Sequence, residues 1–209
     1  TDSNAVEVVV NGARVVRYEP DAESPNVIAG HPNNTADGRG QTVAGGGAVG
    51  STCWDTITNQ WTRSCANHAS WEYATIGGGK GNQAGEWSTI AGGFENTANN
   101  RSTTIAGGFR NLASGTFATI AGGHYNIASN NFATVPGGRH NAAQGAYSFA
   151  AGRRAIAAAD GCFTWADSVD ADFTCNVVNG FFVRSAGGVR IFGPGNWDVQ
   201  NTEGDLRIR

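Results

Sequence analysis

Thr103-Thr104-Ile105-Ala106-Gly107-Gly108-Phe109-Arg110-Asn111-Leu112-Ala113 is one of five near copies of a single phrase, and the spacing of those copies decides the fold. The openings are A-T-I-G-G-G (74–79), S-T-I-A-G-G (88–93), T-T-I-A-G-G (103–108), A-T-I-A-G-G (118–123) and A-T-V-P-G-G (133–138). Each leads to an Asn-x-Ala triplet, at Asn82, Asn96, Asn111, Asn126 and Asn141, in steps of 14, 15, 15 and 15 residues. A fixed short period with recurring turn glycines marks a solenoid, whose coils bury their apolar residues only against neighbouring coils. Room for two strands and two turns per coil predicts a flattened, two-sided parallel β-roll with strands of about five residues. A triangular β-helix needs hexapeptide steps, and a calcium-loaded roll needs an Asp recurring in phase; neither pattern is present.

The period continues outward. Ile28 to Asn34 repeats the step upstream, and Ser148–Ala157 supplies an eighth coil downstream. In the second coil Val49 stands where Asn is due, and the triplet returns eighteen residues late at Asn67. The organisation expected is an N-terminal β cap at 1–24, a roll of about eight coils at 25–160 and a C-terminal β cap or connector at 161–209, with an inserted loop at 49–66. Val6–Val16 around Asn11-Gly12 and Phe181–Phe192 around Gly187-Gly188 carry hairpin signatures suited to capping the ends. Eight coils at about 4.8 Å each give a rod of roughly 40 Å.

Strand parity divides the apolar residues. Ala74/Ile76, Ser88/Ile90, Thr103/Ile105, Ala118/Ile120 and Ala133/Val135 form a uniform aliphatic ladder fit for the interior. The other face carries Tyr73, Trp87, Phe117, Phe132 and Tyr147, an outward aromatic stripe of the kind buried against another subunit.

Composition excludes several functions. The 209 residues hold 31 Gly, 14 Lys+Arg against 17 Asp+Glu, and no basic stripe, so nucleic acid is not an expected partner. No apolar run approaches bilayer length, so membrane insertion is not expected. The absence of Met predicts a processed or excised piece, and the absence of a basic, apolar leader predicts that any signal peptide has been removed or was never present. Cys53/Cys65 and Cys162/Cys175, 12 and 13 residues apart, predict two local disulfides and an oxidising compartment: periplasm, cell surface or secreted.

Candidate sites follow from where the repeat is interrupted. Trp54, Asp55, Asn59, Trp61, Arg63 and Trp71 cluster in sequence around the inserted loop, with the aromatic, Arg and polar composition of a contact surface. The position after each Gly pair varies (Lys80, Phe94, Phe109, His124, Arg139) while its frame does not, as a contact residue would. His124 and His140 fall in adjacent coils, and Asp167, Asp170 and Asp172 are a weak calcium candidate; no metal or other cofactor is expected. No nucleophile, zincin or phosphate-loop motif is present, so the chain is read as non-enzymatic.

Ser148-Phe149-Ala150-Ala151-Gly152-Arg153-Arg154-Ala155-Ile156-Ala157 resembles the S-V-A-I-G-x-x-A-x-A coil of YadA-type trimeric autotransporter adhesin heads. Asp160–Ser168 and the following F-F-V-R-S-A-G-G-V-R are similar to bacterial surface and phage-tail-fibre-like proteins. The resemblance implies a left-handed roll, three chains side by side, displayed outside the cell to bind a surface glycan or protein. Alternatives are a subunit of an extracellular filament, a phage or injection-system tail-fibre tip on a virion, and, as a minor one, an ice-binding solenoid using the Thr75/Thr89/Thr104/Thr119/Thr134 column.

Overall fold

The computed structural model describes residues 4–55 and 60–189, and for residues 49–55 and 60–64 the backbone alone. Its strands form a twelve-stranded sheet, a nine-stranded sheet and a separate two-stranded ribbon. Successive coils add one strand to each large sheet, in parallel register: Thr104 pairs with Thr119 and Ile105 with Ile120 on one side, Leu112 with Ile127 and Ala113 with Ala128 on the other. The strands are shorter than expected, two residues each from Thr75–Ile76 to Ala142–Ala143. The reason is the turns, which take the larger part of each coil.

The core is thin and uniform. Ile76, Ile90, Ile105, Ile120 and Val135 from one sheet meet Ala84, Ala98, Ala113, Ala128 and Ala143 from the other, all with no exposed surface. Pairing a large residue with a small one fixes the separation between the sheets. Beside this ladder runs a buried file of asparagines, Asn34, Asn67, Asn82, Asn96, Asn111, Asn126 and Asn141. Each side chain closes its own turn and joins the next coil. Asn111 Nδ2 donates to the carbonyls of Gly107 and Gly123, both at 3.0 Å, while its Oδ1 accepts the Asn126 backbone N–H at 3.0 Å. A buried amide is tolerated because its hydrogen bonds are made. The file ends where Ala155 N–H donates to Asn141 Oδ1 at 3.0 Å.

The second glycine of each pair is obligatory. Gly108 has φ +94°, and a Cβ there would lie 2.3 Å from the Gly123 carbonyl oxygen. Only glycine allows both the backbone conformation and the coil-to-coil approach.

The ends differ from expectation in one respect. Val6–Val10 and Ala13–Glu19 form the expected N-terminal hairpin, antiparallel to each other, and the second strand pairs with Asn26–Ala29. At the other end the roll continues. Phe163–Ala166 and Phe173–Cys175 pair in parallel with Phe149–Gly152 and Ala155–Ala157 as a ninth coil. Phe181–Arg184 then lies parallel to Phe163–Ala166 and opens a tenth coil in place of the first strand of a hairpin. The polypeptide turns at Ser185–Gly188, and residues 190–192 lie outside the described residues.

Cys162 and Cys175 are bonded, but inside the ninth coil rather than across a hairpin. They occupy interior positions equivalent to Ala118 and Ala143, and both are buried. The disulfide thus ties one sheet to the other where the repeat loses its asparagine. The insertion is a ribbon, Val49–Asp55 antiparallel to Gln60–Ser64, closed at its base by reciprocal backbone bonds between Ala48 and Cys65. Cys65 is buried and disulfide-bonded; the side chain of Cys53, its expected partner, lies outside the described residues.

Candidate functional site

A two-sheet roll has two edges, and each carries a column of side chains. At the edge where the chain passes from the nine-stranded to the twelve-stranded sheet, Tyr73, Trp87, Ser102, Phe117, Phe132 and Tyr147 occupy equivalent positions, all with φ between +54° and +59°. The sequence reading assigned these aromatics to strands. They sit instead in the turns just before the strands, in the left-handed region. That conformation costs an L-residue roughly 1–2 kcal/mol and is unusual for bulky side chains. Towards the ends the same position holds Gly40, Gly161 and Asn179, residues that adopt it readily. In the middle of the roll the chain keeps large rings where glycine would relax the backbone.

These rings are exposed, from 43% at Tyr73 to 69% at Tyr147. Phe117 and Phe132 stack at 5.2 Å and Phe132 and Tyr147 at 4.9 Å, so the row presents ring edges sideways. Ser102 interrupts the row, and the guanidinium of Arg101 lies 4.0 Å over the Trp87 ring. Nearby, the Thr column of the twelve-stranded sheet changes into Phe149, Phe163 and Phe181, stacked at 4.7 and 4.8 Å. The Thr column is a single file beside aromatics, whereas an ice-matching face needs flat ranks.

The opposite edge carries the variable positions after the Gly pairs. Lys80, Phe94, Phe109, His124 and Arg139 are brought into one column by parallel bridges. They pack on one another: Phe94 stacks on Phe109 at 5.1 Å, Phe109 on His124 at 4.9 Å, and the Lys80 ammonium lies 5.0 Å over Phe94. A second file, Glu95, Arg110, Tyr125 and His140, runs alongside, again with positive φ. Arg110 pairs with Glu95 and donates to the Tyr125 hydroxyl at 2.5 Å, and Tyr125 stacks on His140 at 5.1 Å. His124 and His140 do meet, with centroids 5.9 Å apart. Burial, with Arg139, His140 and Arg110 nearby, holds the His124 imidazole below its ordinary pKa. Its Nε2 is buried without a hydrogen-bond partner. Apart from His140, the second file escaped the sequence reading, although its residues directly precede each Asn.

The calcium candidate dissolves into ion pairs. Asp167 accepts from Arg184 Nε at 2.9 Å, Asp170 lies 2.6 Å from Arg153 Nη2, and Asp172 lies 2.8 Å from Arg154 Nη2. The Ala186 backbone N–H and the Arg184 guanidinium hold the Asp167 carboxyl below its usual range. Among the described residues no group of three His, Cys, Asp or Glu is placed to share a metal.

Of the loop candidates, Asn59 and the side chains of Trp54, Asp55, Trp61 and Arg63 lie outside the described residues. Trp71 is not among them in space. The ribbon leaves the edge where the chain runs from the twelve- to the nine-stranded sheet, and Trp71 lies at the other edge, 72% exposed with φ +66°. There it lines a cavity of about 690 Å³ with Asp37, Arg39, His68, Glu72, Gln83 and Asn99.

The fold and these columns define a class, a parallel β-solenoid built on a hydrogen-bonded scaffold that displays side-chain rows at its edges. Within it, residues 103–115, one strand–turn–strand unit of the fifth coil, match the ubiquitous surface protein adhesin repeat. The chain is similar to that repeat, in agreement with its resemblance to trimeric adhesin heads. Comparison with curated proteins gives no match.

Proposed function

We propose that the chain is a non-enzymatic adhesive module, displayed outside the cell and assembled as a homotrimer through the aromatic row of Tyr73, Trp87, Phe117, Phe132 and Tyr147. The observation that carries this reading is the retention of exposed rings in left-handed turns. Such strain persists where it serves a purpose beyond the scaffold, and exposed contiguous apolar surface belongs to interfaces. The adhesin repeat matched by residues 103–115 supports the adhesive role and the surface location. The variable column from Lys80 to Arg139 and the base of the inserted ribbon at Ala48 and Cys65 lie at the edge opposite this row.

Two measurements test it. The mass in solution should be three times the 21.6 kDa of one chain. Beads coated with the protein should adhere to matrix proteins, glycans or cell monolayers above albumin-coated beads; equal adhesion contradicts the adhesive role.

A second reading is a filament joined end to end. It is favoured by Val6–Val10, the outer strand of the twelve-stranded sheet, whose five residues are all exposed. An apolar outer strand is a template for pairing with another chain. Fibres in electron micrographs, absent when Val8 and Val10 are replaced by Lys, favour this reading.

A further inference from the structure

The cavity beside Trp71 combines an exposed indole with two ion-paired carboxylates. It opens over the nine-stranded sheet, where His68 and Gln83 point outward, and its lining includes no member of the aromatic row. Its volume of about 690 Å³ falls within the range of about 300–1,000 Å³ that ligand pockets span.

Trp71 is the most exposed tryptophan among the described side chains, at 72% against 45% for Trp87 and 38% for Trp165, and Trp87 is in addition covered by Arg101. Among the described residues no ring stacks on Trp71, and most of its indole is open to solvent. Its backbone is nonetheless held in place: φ is +66°, and its carbonyl accepts from the buried side-chain amide of Gln41. A fixed backbone with an open ring is preorganised for a flat, apolar ligand face.

The polar groups around it supply complementary bonds. His68 Nε2 lies 3.2 Å from Asp37 Oδ2, and Arg39 donates to Glu72 Oε1 at 2.9 and 2.6 Å. Each carboxylate is thereby oriented through one oxygen, and the other oxygen remains free to accept. Asn99 adds an exposed amide that can both donate and accept. The one arginine of the lining, Arg39, faces Glu72 and Glu23, and Asp37 adds a further carboxylate, so the lining has no spare cation to recruit an anion.

An open indole face beside hydroxyl acceptors and an amide fits a pyranose ring, whose C–H face stacks on the ring while its hydroxyls donate to the carboxylates. We infer that the Trp71 cavity is a binding site for a neutral saccharide. This deepens the adhesive reading by naming a ligand class, and it needs no assembly, because all its residues come from one chain.

The test uses the full chain with cellotriose, chitotriose, maltotriose and lactose as probes, followed by saturation-transfer NMR and calorimetry. At least one neutral probe should bind, and sialyllactose should bind no better than lactose. Trp71→Asn, which suits a positive φ, should retain the melting temperature and lower affinity at least about tenfold. Trp71→Tyr should restore part of it, and Trp87→Asn should bind as the natural chain does. Binding unchanged in Trp71→Asn, equal loss in Trp87→Asn, preference for the anionic probe, or no binding by any neutral probe overturns the inference. If bead adhesion survives Trp71→Asn while no saccharide binds, the saccharide site alone is refuted. If saccharide binds but beads do not adhere, the adhesive role alone is refuted.

Discussion

Asn126 donates its backbone N–H to Oδ1 of Asn111 at 3.0 Å, and this bond between residues fifteen apart is the repeating stitch of the roll. Alanine in place of Asn111 removes the acceptor of the Asn126 N–H and the donor to the Gly107 carbonyl. Gly123 O keeps the Phe109 N–H at 2.9 Å. Two buried groups losing partners, at about 1–3 kcal/mol each, predict a loss of about 2–6 kcal/mol. Chemical denaturation of Asn111→Ala measures it; a loss below 1 kcal/mol would mean that the asparagine file is incidental.

Gly108→Ala should be at least as damaging, because its Cβ would meet the next coil's backbone 2.3 Å away at a φ of +94°. Gly92, whose Cβ would meet nothing within 4 Å, is the matched control and should tolerate alanine far better. The readout is the difference in melting temperature between the two variants.

Phe132→Gly separates scaffold from interface. It relaxes a left-handed residue, a gain of roughly 1–2 kcal/mol. It also removes two ring stacks of about 0.5–1.5 kcal/mol each. The single chain should therefore change little in stability while the assembly weakens. Concentration-dependent sedimentation beside thermal melting distinguishes the two effects.

Cys162→Ala with Cys175→Ala puts alanine where Ala118, Ala133 and Ala143 stand in other coils, so the cost should be that of the lost cross-link, about 3 kcal/mol for so short a loop. Hydrogen exchange should accelerate in residues 158–184 and stay unchanged near Ile105. Uniform acceleration would place the disulfide's effect outside the ninth coil.

His124 titrates below an unfolded histidine, whose pKa is about 6.5. The unfolded chain therefore takes up more protons as pH falls through that value, and stability is lost on the acid side. Above about pH 7 both states are neutral and the contribution is flat. His124→Phe, which extends the Phe94–Phe109 stack, should gain on the natural chain as pH drops from 7.5 to 5.5. Parallel stability curves over that range would refute the assignment.

The roll was legible because its period is carried by residues that perform its geometry: the Gly pair makes the turn and the Asn closes it. The interior was legible too, since an Ile or Val recurs at the Ile105 position from Ile28 to Val135 and Ala at the Ala113 position from Ala36 to Ala157. Strand length was not, because parity continues through a turn, so Phe117 seemed to extend a strand whose backbone has already left the β region. The ninth coil was hidden by Cys162 and Cys175 at interior positions and by Trp165-Ala166 where the glycine pair is due. Trp71 was grouped with the ribbon by nearness in sequence, yet half a coil carries a residue to the opposite edge. Asp167, Asp170 and Asp172 could not be told from a metal site until Arg153, Arg154 and Arg184, up to 18 residues away, were seen to face them.

The most direct test of the assembly through the aromatic row is the mass of the purified chain by sedimentation equilibrium. The account predicts three times 21.6 kDa for the natural chain and a single chain for a variant with glycine at Trp87, Phe117 and Phe132 that melts within a few degrees of it. A natural chain that sediments as a monomer, or a triple-glycine variant that remains trimeric, would contradict it.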